Sequence, residues 1–379
     1  MRHVFIIGSR GLPAKYGGFE TFVDELVTNQ KNKNIKYHVA NLSESENHTH
    51  YDYNGADVFN IKERNLGGAK VIFYDLDAIN YSLKFIKDEE IEKPIFYILG
   101  NTIGAFISPV ARKIHQIGGL LFVNPDGLEW RRSKWSYPIR KYLKYSERKM
   151  VEKADLIIAD NQGIDDYLKE EYKPFMSQVI AYGTDIDEVG NVEYDWYQEH
   201  DVIADEYYLV VGRFVPENNY ETIIKSFMNS NTTKDLVIIT NNEGSPYYEY
   251  LKESTNFDQD NRINFVGTVY DKDLLKNIRK NAYGYIHGHE VGGTNPGLLE
   301  AMWSTSLNLV LDVSFNRNVG SDSVLYWQKD QLSNLIDLTD DLSKYEKSVY
   351  GSKSSDIILK DYTWEKIVSQ YEELFTDES

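Results

Sequence analysis

Short apolar runs recur along the chain. Between them lie longer stretches whose apolar residues fall at helical spacing. In the first half the runs are Val4–Ile7, Tyr37–Leu42, Ile95–Leu99, Leu120–Asn124, Leu156–Ala159 and Val179–Ala181. In the second half they are Tyr208–Val211, Leu236–Thr240, Ile263–Val266, Tyr283–His287 and Leu307–Leu311. Most are rich in Ile, Val, Leu, Phe and Tyr, and several end in Gly, Asn or Asp. Runs of this kind read as parallel strands buried on both faces. The intervening segments, such as Glu20–Asn29 and Asp273–Asn281, have the periodicity of amphipathic helices. Strand and helix in alternation predict an α/β protein built from doubly wound sheets.

The pattern pauses between Asp185 and Asp205, an acidic stretch with no clear strand, and a new strand is expected from Tyr207. With 379 residues the chain is long enough for two domains. The expected division is 1–190 and 205–363. An amphipathic last helix over Trp364–Phe375, within 364–379, is able to pack back on the first half. The N-terminal apolar run is too short for a signal-peptide core, which needs about 7–15 residues. It reads as the first strand. No apolar stretch approaches the ~18 residues of a membrane span. The chain has no cysteine, which excludes disulfides, thiolate catalysis and cysteine metal sites. The formal net charge of −18 argues against broad nucleic-acid binding, because neutralising phosphates takes clustered Lys and Arg. A local basic pocket for a small polyanion remains compatible with it.

Three segments carry candidate chemistry. The first strand runs into GSRGLPAKYGGFE, which places Gly8, Gly11, Gly17 and Gly18 before a helix beginning near Phe19. Glycines let backbone amides approach an oxyanion, and a helix N-terminus adds about half a positive charge. The alternative is an ordinary tight turn. The spacing is not G-x-G-x-x-G, and no acidic residue follows the second strand, so a dinucleotide fingerprint is poorly matched.

The strand Tyr208–Val211 leads into GRFVPENNYE. Arg213 there would point into the crevice where α/β sheets bind ligands and fork onto phosphate oxygens. Pro216 and Glu217 read as the first turn of the next helix. The alternative for Arg213 is a surface residue at a strand end. The third segment is HGHEVGGTNPGLLEAM. Gly292, Gly293, Thr294 and Asn295 form a turn, Pro296 suits a first helical position, and amides at that helix start can bind a diphosphate. Glu300, one turn in, can accept hydrogen bonds from ribose hydroxyls. His287, His289 and Glu290 crowd the strand end; metal binding by them is an alternative reading, although nothing in the sequence places three ligands in the geometry a metal needs.

GGTNPGLLEAM resembles the nucleotide-binding signature of family 4 retaining glycosyltransferases, which have the GT-B fold. GRFVPENN resembles their phosphate-binding strand end, and AYGTD (Ala181–Asp185) the segment that closes their first domain. Taken with GSRGLPAKYGGFETFV, NPDGLEWRRSKWS and YLVVGRFVPENNYE, the chain is similar to bacterial rhamnosyltransferases. Those enzymes extend lipid-linked precursors of capsules and rhamnose-rich wall polysaccharides. The resemblance implies two Rossmann-like domains facing a cleft, and transfer of L-rhamnose from dTDP-L-rhamnose to a lipid-diphosphate-linked sugar. It also implies net retention, no cofactor and no divalent metal.

Residue by residue, the resemblance implies that Arg213 contacts the donor diphosphate and Glu300 the pentose. Thr294 and Asn295 offer amides to phosphate beside Gly292 and Gly293. Gly11, Gly17 and Gly18 line the acceptor side, and Asp126 of NPDG faces the reacting sugars. Two positions depart from the family. The first Glu of its motif is replaced by Gly292, for which Glu290 is the candidate substitute in the catalytic set with Asp126 and Arg213. The Lys five residues after the Arg is Asn218.

Arg131–Lys149 holds eight Lys or Arg and one Glu, interleaved with Trp and Tyr. Such a segment can lie on an anionic bilayer at about 1 kcal/mol per charge. Arg131, Arg132, Arg140, Lys141 and Lys144 are the expected membrane residues, for an enzyme at the cytoplasmic face of the cell membrane. The alternative is a solvated helix face with its aromatics turned inward. Other readings of the whole chain are a UDP-hexose transferase, a nucleotide-sugar epimerase of the same fold, and a non-catalytic binding protein.

Overall fold

The computed structural model describes residues 1–377 except 16, 188, 189 and 191–193. The chain divides into two compact units, Met1–Gly183 with Trp364–Ser379, and Thr184–Thr363. The stretch 185–205 includes five residues outside the described set.

The first unit is built on an eight-stranded sheet. Its strands are β1 (Arg2–Ile7), β2 (Ile35–Ser43), β3 (His50–Tyr53), β4 (Ala56–Lys62), β5 (Ile95–Leu99), β6 (Leu120–Asn124), β7 (Leu156–Ala159) and β8 (Ser177–Val179). The order is β3-β4-β2-β1-β5-β6-β7-β8, and only the β3–β4 pair is antiparallel. Val4–Ile7 and Ile95–Leu99 are buried on both faces, which is why they read as unbroken apolar runs. Helix Trp364–Thr376 belongs to this unit. It buries Ile367, Val368, Tyr371 and Phe375 in the core, with the hydroxyls of Tyr97 and Tyr371 2.9 Å apart.

The second unit carries six parallel strands: β9 (Tyr207–Val211), β10 (Asp235–Ile239), β11 (Ile263–Phe265), β12 (Gly284–His287), β13 (Asn308–Leu311) and β14 (Leu325–Trp327). Their order is β11-β10-β9-β12-β13-β14. Strand order therefore reverses between β1 and β5 in one unit and between β9 and β12 in the other. In open α/β sheets these switch points, at the C-terminal strand ends, are where ligands bind.

Several details differ from the sequence expectation, most of them a residue or two at strand ends. The last strand of the first sheet is Ser177–Val179, two residues earlier than expected. Pro216–Asn218 forms a separate 3-10 turn, and the helix starts at Tyr220 after Asn219 takes φ 57°. Strands β3, β4 and β14 were not anticipated. β3 alternates exposed and half-buried residues without an apolar run, and β14 is only three residues long.

Candidate functional site

In the second unit the loops after β9 and β12 are stitched together. Asn219 donates its side-chain amide to the carbonyl of Gly288 at 2.8 Å and to Glu290 at 3.1 Å. The Glu290 amide donates to the Glu217 carbonyl at 3.0 Å. A Cβ on Gly288 would collide with the Asn218 carbonyl, so only glycine allows this approach. The Arg213 carbonyl accepts from Asn218 Nδ2 at 2.7 Å and from the Val215 amide at 2.9 Å. The backbone is thus held from several sides. The Arg213 side chain is exposed, and among the described residues no carboxylate pairs with it.

Asn218 is buried and its amide is committed to that internal bond. It shapes the loop, whereas a Lys at this position would bring charge to it. Glu290 is tied to Lys329 at 2.7 Å as well as to Asn219. His287 is buried and stacks on His289, with ring centroids 4.5 Å apart. Burial, with His289 beside it, holds His287 well below the usual imidazole range, so its ring is neutral. Among the described residues no three His, Asp or Glu side chains are grouped to hold a metal ion.

Helix Pro296–Ser304 follows these histidines after the loop that ends in Gly292–Asn295, with Pro at its first position. The amides of Leu298 and Leu299 both turn back to the Asn295 carbonyl, at 3.0 and 3.2 Å. The positive end of the helix dipole lies at Gly293–Asn295. Glu300 has a structural partner that the sequence did not reveal. Arg279, almost fully buried, donates Nη2 to Glu300 Oε2 at 2.6 Å, while the Glu300 side chain remains 43% exposed. One carboxylate oxygen is thereby anchored, and the exposed remainder can accept from a ligand. Arg213, Asn218, Glu290, Gly292–Asn295 and Glu300 thus gather at one edge of the second sheet.

The glycine loop of the first unit differs from the anion site its sequence suggested. Glu20 accepts from the Arg10 amide at 2.8 Å, and Asp24 accepts from the Ala14 amide at 2.7 Å. The helix's own carboxylates occupy amides that an oxyanion would have used. A Cβ at Gly17 would overlap Glu20, and one at Gly11 would overlap Asn41, so both glycines permit close internal packing. Gly18 faces open space. Asp126 is half-buried in a left-handed conformation, φ 58°, and accepts from the Gly127 amide at 2.7 Å.

A buried acid at the same edge escaped the sequence reading because it sits inside a helical pattern. Asp75 is 2% exposed. Burial pushes its carboxyl up to about 7, against a hydrogen bond from Thr102 Oγ1 at 2.9 Å.

The basic segment is largely neutralised within the unit. Lys134 pairs with Glu129 at 2.7 Å, and Arg132 also pairs with Glu129. Lys144 pairs with Glu171 at 2.9 Å and lies 4.7 Å from the ring centroids of Trp130 and Tyr167. Arg140 Nε donates to the Trp130 carbonyl at 3.1 Å, and Arg131 stacks 5.1 Å from Trp130. Tyr137, Lys141 and Tyr145, four residues apart on one helix, stay exposed.

A family model described as a domain of unknown function, DUF1972, matches residues 1–185. No curated protein matches the chain. Solved structures match over nearly all of it. A sucrose-phosphate synthase from Thermosynechococcus elongatus has a TM-score of 0.80 at 15% identity, covering 99% of this chain and 98% of that one. HepE of Anabaena, in complex with UDP, has a TM-score of 0.73 at 14% identity, covering 99% and 100%. A UDP-forming trehalose-phosphate synthase from Burkholderia xenovorans, in complex with glucose-6-phosphate, has a TM-score of 0.70 at 9% identity, covering 100% of each. These neighbours share the GT-B glycosyltransferase architecture, and the fold of this chain, with its two Rossmann-like units, is GT-B.

Proposed function

We propose that the chain is a retaining glycosyltransferase that transfers L-rhamnose from dTDP-L-rhamnose to a lipid-diphosphate-linked saccharide. The observation that carries the transferase reading is the rigid strand-end frame around Arg213. A guanidinium with no carboxylate partner among the described residues stands at a switch point, and a helix N-terminus and the half-exposed Glu300 lie at the same sheet edge. A nucleoside diphosphate matches that set, with phosphates on Arg213 and the amides of Gly293–Asn295, and ribose on Glu300. Neighbours of the same fold were solved with UDP or named as UDP-forming.

In this reading Arg213 and the helix amides stabilise charge as it grows on the leaving diphosphate. Asp126 serves the acceptor side. Same-face attack assisted by the leaving phosphate accounts for retention. The charge is met by fixed donors, so turnover should persist in excess chelator. The rhamnose assignment rests on the combined likeness of GSRGLPAKYGGFETFV, NPDGLEWRRSKWS and GRFVPENNYE to rhamnosyltransferases. The lipid-linked acceptor would be met at the cytoplasmic face of the membrane, with the exposed stripe Tyr137, Lys141 and Tyr145 as the docking face. Among the described residues no helix is long and apolar enough to cross a membrane.

Chromatography of products from each nucleotide sugar, with and without acceptor, tests this reading. dTDP should form from dTDP-L-rhamnose only when acceptor is present. A second reading, a UDP-hexose donor, is favoured by the UDP-bound neighbour. It wins if a UDP-sugar is used with higher kcat/KM. Conversion of a nucleotide sugar without acceptor would indicate an epimerase instead.

A further inference from the structure

Four of the chain's eight histidines, His3, His38, His48 and His50, cluster in one part of the first unit, away from the glycine loop. His38 Nδ1 and His50 Nδ1 lie 2.8 and 2.6 Å from the two carboxylate oxygens of Asp57. His3 Nδ1 lies 2.9 Å from His38 Nε2, and His50 Nε2 contacts the hydroxyl of Tyr81. Burial raises the Asp57 carboxyl, but hydrogen bonds from His38 and His50 outweigh it and hold it below its ordinary range. An ionised carboxylate only accepts, so both Nδ1 atoms carry the protons. Nε2 of His50 is left for the Tyr81 hydroxyl, which can either donate to it or accept from it. The relay locks the Tyr81 ring at the wall of a cavity of about 480 Å³.

That volume lies within the range of small-molecule sites, about 300–1,000 Å³. Asn47, His48, Lys62, Asn80, Tyr81 and Lys84 line it. The acids at its rim are already paired. Asp77 holds Arg64 through two bonds of 2.5 and 2.6 Å, and Glu63 holds Lys70 at 3.0 Å. Among the described residues Lys62 and Lys84 have no carboxylate partner, so two positive charges stand uncompensated in a chain of net charge −18. His48 stacks on Tyr81 with centroids 4.4 Å apart. It does so from a left-handed backbone, φ 61°, pinned by its amide donating to the Asn60 carbonyl at 2.7 Å. Backbone strain of this kind costs about 1–3 kcal/mol and persists where the surroundings hold it in place.

The cavity lies at a defined place on the sheet. β4, β2 and β1 run parallel, so Lys62 at the end of β4 is on the same edge as the loop after β1. Two strand spacings put it about 10 Å to the side.

We infer that this cavity binds the phosphate-bearing part of a phosphorylated saccharide, the acceptor of the transfer reaction. Lys62, Lys84 and the amides of Asn47 and Asn80 supply donors for phosphate, and the His48–Tyr81 stack supplies a flat face for the sugar ring. The assignment to the acceptor rests on the transferase reading. The binding site itself does not.

The test titrates the full chain with glucose 1-phosphate, with glucose as the uncharged control, and follows the His48 ring by NMR. A His48→Gln variant assigns the signal. The expected result is a saturable His48 shift with glucose 1-phosphate, none with glucose, and affinity at least about tenfold weaker in Lys62→Ala/Lys84→Ala, a loss of 1.4 kcal/mol. No saturable shift, an equal response to glucose, or undiminished affinity in the double variant overturns the site. A prenyl diphosphate-linked glucose and free glucose 1-phosphate are then compared, and the tighter binder identifies the source as a lipid headgroup or a soluble sugar phosphate. Binding is read without turnover. If the site binds and no nucleotide sugar supports transfer, the transferase reading fails and the phosphosaccharide site stands.

Discussion

The two sheets present glycine-rich loops at equivalent switch points and finish them in opposite ways. After β1, Glu20 and Asp24 reach back to the loop amides and close the site with the protein's own carboxylates. After β9 and β12, the loops are held by the side-chain amides of Asn218 and Asn219, bonded to backbone carbonyls and to Glu290, and the charge on Arg213 is left without a counter-ion among the described residues. A glycine loop before a helix is therefore an anion site only where the chain has not supplied the anion itself. The same lesson applies to basic residues. Lys144 is absorbed by Glu171, Trp130 and Tyr167, whereas Arg213 is kept available.

The sharpest way to break this contrast is Arg213→Ala. Removing a fixed donor from the leaving group should lower kcat by about 10²–10³ with a smaller change in donor affinity. Steady-state kinetics on the folded variant with unchanged kcat would return Arg213 to an ordinary surface residue.

Glu300 separates support from binding. Glu300→Ala leaves the buried Arg279 charge without its partner and should cost about 3 kcal/mol of stability in the second unit. Glu300→Gln keeps a hydrogen bond to Arg279 and should spare most of that stability while weakening nucleotide binding about tenfold, the worth of a charge-assisted hydrogen bond. Urea titration and nucleotide titration of the pair distinguish the two roles. Equal stability of Ala and wild type would show that the ion pair does not support the fold.

Asp75 tests the closed side. Its folded carboxyl titrates near 7 and its unfolded one near 3.8. Between those values the folded state binds the extra proton, so stability falls as pH rises through this window and levels off above about 7. Asp75→Asn should remove that slope and gain about 2 kcal/mol at pH 8, allowing for local hydration. A flat wild-type denaturation midpoint from pH 4.5 to pH 8 would contradict the assignment. The smallest effect is expected from Glu20→Gln, about 1 kcal/mol, for the charge lost from its bond to the Arg10 amide. Thermal denaturation reads it.

Much of the fold was legible because it is written in local apolar runs. Ile95–Leu99, Leu120–Asn124 and Leu156–Ala159 are buried strands whose ends match their runs. β3 was hidden because an edge strand is half solvated. The signal that might have found it is the Asn54-Gly55 pair, which takes φ 49° and 89° between β3 and β4 as hairpin turns require. At the site, GRF and GGTNP were legible as strand-to-helix turns, because their chemistry lies in contiguous residues. The partners were not. Arg279 meets Glu300, and Asn219 meets Gly288 and Glu290, only through the parallel pairing of distant strands. The commitment of Glu20 to the first loop was equally hidden, since a Glu in a first helical turn looks the same whether it caps the loop or faces water.

The claim that the second unit holds a nucleotide-sugar donor is tested most directly by thermal denaturation of the full chain with dTDP-L-rhamnose and with UDP-glucose. A ligand at 100 times its Kd stabilises the folded state by about 2.7 kcal/mol, which in a unit of this size raises the transition by about 5–10 °C. At least one donor should produce that shift in wild type, and Glu300→Gln should reduce it. No shift with any nucleotide sugar, or a full shift that survives both Arg213→Ala and Glu300→Gln, would contradict the account.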